Sequence, residues 1–153
     1  MRFVFIALAF VLAPQATFAD LLSYEEIIEN IEGTWGIPYD ALDDEDVTIR
    51  CDRSPITIRL TEDDGVLKYE AWQLGDDYIN RAQVQTVVRT DGSIAPFILL
   101  RYEGEERLTD SGEPVQWRLA MTDLDSFFWQ RTDWPPNSWT AGRVRCQTSY
   151  MGT

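Results

Sequence analysis

The sequence predicts an all-β fold, an antiparallel up-and-down barrel of eight strands with one short N-terminal helix, and three observations predict it. Short alternating apolar runs recur at close, regular spacing. Turn signals bearing glycine divide them. A capped helix then leads straight into a strand start at Gly33-x-Trp35. Beyond the Trp35 strand, the runs are 47–51, 56–60, 66–73, 82–90, 93–103, 115–122, 126–131 and 142–148. In the sixth, Val115, Trp117, Leu119 and Met121 fall on one face while Gln116, Arg118, Ala120 and Thr122 fall on the other, the period of a half-buried strand. Asp63-Asp64-Gly65, Thr90-Asp91-Gly92 and Asp110-Ser111-Gly112 supply glycine where a hairpin turn needs positive φ. Closure into a barrel removes the exposed edges of so many hairpin-linked strands, and a β-sandwich is the alternative packing of the same strands.

The helix begins at Ser23, whose hydroxyl is placed to accept from the backbone N–H of Glu26 while the Glu26 carboxylate accepts from Ser23. Leu22 and Ile27 occupy hydrophobic-staple positions, and Ile27, Ile28 and Ile31 form an apolar stripe. Gly33 is expected to provide a left-handed stop, after which Thr34, Trp35 and Ile37 start a strand.

A short helix followed by Gly33-x-Trp35 resembles the start of the lipocalin and calycin barrels. The resemblance implies a structural role for Gly33 and an Arg from the last strand, Arg143 or Arg145, packed across the Trp35 indole. It also implies a non-catalytic cup for a small ligand.

Residues 1–19 read as a signal peptide: Arg2 supplies the positive start, 3–13 is apolar and too short to span a bilayer, and Ala19 ends a small-residue cleavage site. The expected mature domain is 20–153, one domain, periplasmic or secreted, with no membrane insertion and monomeric. Export to an oxidising compartment predicts a Cys51–Cys146 disulfide between an early strand and the last one. Free thiols or a metal pair are the alternatives, and with no His and no Cys-x-x-Cys no metal site or cofactor is expected.

Loss of Arg2 leaves 12 basic against 26 acidic side chains, so the formal net charge moves from -13 to -14. This acidic protein repels nucleic acid and anionic lipid, and attracts cations. The absence of His removes imidazole bases and His-dependent nucleophiles, and no catalytic residue is assigned. The run Asp43, Asp44, Glu45 and Asp46 lacks the spacing of a calcium loop and reads as solvated.

Two functions follow from the sequence. In the first, the barrel holds a small apolar or amphipathic ligand lined by Trp35, Tyr69, Trp117 and Trp129. In the second, the protein is an envelope interaction module or inhibitor that engages a cationic partner through its acidic surface and the stiff loop carrying Trp134, Pro135, Pro136 and Trp139. That loop also reads as a plug for one barrel end.

Overall fold

The structure is a computed structural model that describes residues 21–39, 48–52, 54–73 and 75–146. Among the described residues there are one helix, α1 (Tyr24–Asn30), and nine strands: β1 (Gly33–Tyr39), β2 (Thr48–Arg50), β3 (Ile56–Asp63), β4 (Val66–Gln73), β5 (Asn80–Gln85), β6 (Ile98–Tyr102), β7 (Trp117–Asp123), β8 (Ser126–Arg131) and β9 (Arg143–Arg145). Strands β1 and β3 to β9 pair antiparallel in a closed ring of eight, sealed where Trp35 pairs with Arg145 and Gly36 with Val144. The all-β up-and-down barrel with one short helix is therefore correct. Strand β2 lies outside the ring as a short hairpin partner of Ile37 to Tyr39. The expected signal peptide and the run Asp43 to Asp46 lie outside the described residues. Among the described residues no helix is long and apolar enough to cross a membrane.

The helix forms as its cap dictates. Ser23 Oγ accepts from Glu26 N at 3.3 Å, and Glu26 Oε2 accepts from Ser23 N at 2.8 Å. Those bonds hold the Glu26 carboxyl below its ordinary value, the backbone bond contributing most. Ile27 and Ile31 are fully buried in the core, Ile28 partly so. They meet Trp35, Ile58, Ile98, Leu119, Met121 and Phe127 in one cluster. The Trp35 indole donates to Ile31 O at 3.0 Å and meets the Phe127 ring edge-on at 4.7 Å. The helix thus closes the end of the barrel where β1 begins. Strand directions place the loops 75–79, 103–116 and 132–142 at the opposite end, around a mouth.

Three sequence expectations shift in detail. The helix ends at Ile31 in right-handed geometry, and Gly33, at φ 134°, is the first residue of β1 and not a left-handed helix stop. Its constraint is different: a Cβ there would sit 2.9 Å from Arg145 Nη1. Gly33→Ala is accordingly expected to cost roughly 1 to 3 kcal/mol in urea unfolding, from backbone strain and displacement of Arg145. An unchanged midpoint would show that the Arg145 side chain yields freely. Second, β5 stops at Gln85 and β6 starts at Ile98, although 82–90 and 93–103 alternate as strands. Between them the chain projects as a hairpin closed by a Val88–Ile94 bridge, its tip exposed, with Val88 62% and Ile94 41% accessible, while Ala95 at its base is buried and Pro96 offers no backbone donor. Third, 103–116 projects in the same way through a Leu108–Pro114 bridge, so β7 starts at Trp117 and not at Val115.

Candidate functional site

The residues that alternate inward fill the closed end and leave room near the mouth. Above the Trp35 floor lies a cavity of about 470 Å³ lined by Ile56, Tyr69, Ala71, Tyr102, Trp117, Trp129 and Arg143. Strand register explains the set: Tyr69 pairs with Ala82 and Ala82 with Tyr102, while Leu100 pairs with Trp117 and Leu119 with Trp129. Paired residues share a face, so small Ala82 sits between the Tyr69 and Tyr102 rings, and small Ala71 lines the cavity itself. The rings contact edge-to-face in sequence, Tyr69 with Tyr102 and Tyr102 with Trp117, both at 6.3 Å between centroids.

The polar groups of this cavity are unevenly satisfied. Among the described residues, three buried side-chain atoms have no hydrogen-bond partner: Tyr69 Oη, Trp129 Nε1 and Arg143 Nη1. All three belong to residues lining the cavity. Burial pushes the Tyr69 phenol well above its ordinary range, and the neighbouring Tyr102 adds to that. The Trp129 N–H and the Arg143 guanidinium act on the same oxygen in the opposite direction, so the groups share one field without meeting hydrogen-bond geometry. Burial likewise raises the Tyr102 phenol and lowers the Arg143 guanidinium.

Around the mouth, charges are paired. Arg107 Nε donates to Glu105 Oε1 at 2.7 Å, and Arg107 Nη2 also bonds Glu105 Oε2. This clamp lowers the Glu105 carboxyl from 4.5 to about 2. The pair's contribution is therefore complete above the unfolded carboxylate's value and is lost as pH falls from about 4.5 through about 2. Titration of the Glu105 side-chain carboxyl by ¹³C NMR should give a midpoint near 2. A midpoint near 4.5 would mean that Arg107 swings free in solution. Across the mouth, Arg131 Nε donates to Asp133 Oδ1 at 3.0 Å, and its guanidinium lies 5.9 Å from the Trp117 centroid and 5.4 Å from that of Trp134.

The predicted site residues separate into layers. Tyr69, Trp117 and Trp129 line the cavity, whereas Trp35 is fully buried in the floor beneath and does not line it. Arg145, not Arg143, stacks on Trp35, with its guanidinium carbon 4.2 Å from the ring centroid. Arg143 instead faces Trp129, at 5.9 Å. The Trp134 ring packs on Trp117 at 5.6 Å on the mouth side, and Trp139 packs edge-on against Phe128 at 4.4 Å. Cys51 and Cys146 form the disulfide, with Cα atoms 5.8 Å apart.

Sequence reading missed several residues that shape the site. Tyr102 was legible, because Ile98, Leu100 and Tyr102 alternate on one face of β6. Gln130 was not: it is 2% exposed, its Nε2 donates to Pro135 O and Pro136 O, and its Oε1 accepts from Arg118. A polar residue in a strand carries no mark of such a partner. Gln130 fixes the Pro-rich loop over the mouth and so sets the position of Trp134.

The architecture is that of a lipocalin-like antiparallel barrel, closed at the helix end, with an aromatic cup at the other. No family model matches the chain, and neither does any curated protein or solved structure.

Proposed function

We propose that this protein is an exported, non-catalytic binding protein that holds a small amphipathic ligand in the mouth half of its barrel. The observation that carries the reading is the cavity of about 470 Å³ above a packed floor, walled by Tyr69, Tyr102, Trp117 and Trp129. That size falls within the range of roughly 300 to 1,000 Å³ common for small-molecule sites. The aromatic walls provide apolar area at low conformational cost, and the small Ala71 leaves space that a bulkier residue would fill. A disulfide suits an oxidising compartment such as the periplasm or the exterior. Trp134 and Trp139 are each engaged by an aromatic neighbour within the chain, which leaves them less free to anchor a cationic partner.

The test is a tryptophan-fluorescence titration of the purified protein with fatty acids, isoprenoids and tetrapyrroles at low and high salt. Saturable quenching that persists at high salt is expected, because burial against aromatic walls does not depend on ionic strength and partly buried charges are screened less than surface ones. Absence of any saturable change, together with salt-sensitive binding of a basic protein, would favour the interaction reading.

A further inference from the structure

We infer that the cavity recognises a carboxylate, held by Arg143, the Trp129 N–H and the Tyr69 hydroxyl, with the apolar body of the ligand lying toward the mouth. The inference rests on the ligand-cup reading and specifies its chemistry. Of the three buried polar atoms left without partners, the indole N–H and the guanidinium N–H donate only, while the phenol can donate through its proton or accept at its oxygen. Each such group left unsatisfied in an apolar setting is costly, so their joint presence at one cavity calls for an acceptor. Tyr69 is fully buried and lines the cavity beside Tyr102, Trp129 and Arg143.

Charge selects the kind of acceptor. Arg143 has no carboxylate within ion-pair distance among the described residues, whereas the other charged groups at the mouth have partners: Glu105 pairs with Arg107, Asp133 with Arg131, and Arg81 with Glu70, which it shares with Arg59. Glu103 lies 3.9 Å from Lys68 on the exposed rim. Arg143 is therefore the cation of the cavity lining that has no carboxylate partner among the described residues, in a protein whose formal net charge is -13. A carboxylate neutralises it and offers two oxygens to the guanidinium fork and its neutral neighbours. A phosphate monoester carries about -1.5 to -2 at neutral pH and would leave excess negative charge in a poorly solvated site. An ammonium would be repelled by Arg143, and the carboxylates of the lining, Glu103 and Glu105, are already paired with Lys68 and Arg107.

Isothermal titration with octanoate, octanol, octylamine and octyl phosphate tests this on the wild type, Arg143→Met and Tyr69→Phe. Octanoate is expected to bind about 10- to 100-fold more tightly than octanol, and octylamine not at all. In Arg143→Met that preference should fall to about twofold or less while octanol affinity holds. Tyr69→Phe keeps the ring and the charge, and should weaken octanoate about threefold to tenfold with octanol unchanged, which guards against a misfolded Arg variant. Equal binding of octanoate and octanol, or tighter binding of octyl phosphate than of octanoate, would overturn the carboxylate assignment and leave the ligand cup intact. Failure of every octyl compound to bind would overturn the cup itself.

Discussion

Removing the Cys51–Cys146 bridge lowers stability by about 4 to 5 kcal/mol, the largest single loss expected for this chain. The bond closes a sequence separation of 95 residues, most of the described domain, so in the chain-entropy account it excludes a large share of unfolded conformations. Its position adds to that. Cys51 follows β2, which pairs with Ile37 to Tyr39, and Cys146 N donates to Thr34 O at 2.8 Å just beyond β9. The bridge therefore joins two of the three segments that hydrogen-bond to β1, at the seam where the ring closes with only two residue pairs between β1 and β9. With a urea dependence of about 2 kcal/mol per molar for a small domain, the Cys51→Ser/Cys146→Ser double variant should unfold about 2 M earlier than the oxidised protein. A midpoint shift under about 0.5 M would mean that the seam holds without its covalent tie.

Arg145→Met carries the second large effect, a loss of about 3 to 5 kcal/mol. Arg145 Nη1 donates to Glu32 O at 2.9 Å, Nε and Nη2 donate to Leu124 O at 3.1 and 2.9 Å, and Nη2 also bonds Asn30 O. One guanidinium thus ties the end of α1, the start of β1 and the β7–β8 turn together while covering the Trp35 ring. Methionine keeps much of the packing but leaves these carbonyls without their donor, and charge-assisted bonds of this kind are worth about 1.5 to 3 kcal/mol each. Arg145→Lys should recover less than half of the loss, since an ammonium cannot reach several carbonyls in one plane. The loss is to be measured by urea unfolding, followed by far-ultraviolet circular dichroism and tryptophan emission. A cost under about 1 kcal/mol for Arg145→Met would assign the seam to packing alone.

The parts of this fold legible from sequence are those written in short-range chemistry. Ser23 and Glu26 announce the helix start, Asp63-Asp64-Gly65 announces a hairpin with Asp64 and Gly65 both at positive φ, and the alternation at Trp117, Leu119 and Met121 announces an inward face. The disulfide followed from a single cysteine pair. What stayed hidden depends on pairing across the sheet. Nothing local distinguishes Arg143 from Arg145: they stand two apart on one strand and face the same way. Only their partners, Phe127 across from one and Trp35 across from the other, send one to the cavity and the other to the floor. Trp35 was an equally good lining candidate by type, and the closed end formed by Ile27 and Ile31 decides that it lies beneath. The hairpin 86–97 alternates like a strand because alternation records which residues face apart, not whether a core lies on one side.

The central claim, an open cup above a packed floor, is tested most directly by following the six tryptophan indole N–H signals in ¹⁵N NMR during titration with octanoate. The Trp117 and Trp129 signals should move together and saturate at one equivalent. Those of Trp35, buried in the floor, and Trp139, packed on Phe128, should stay in place. Saturating shifts confined to Trp139, or no saturable shift of Trp117 and Trp129 at any concentration, would contradict the cup.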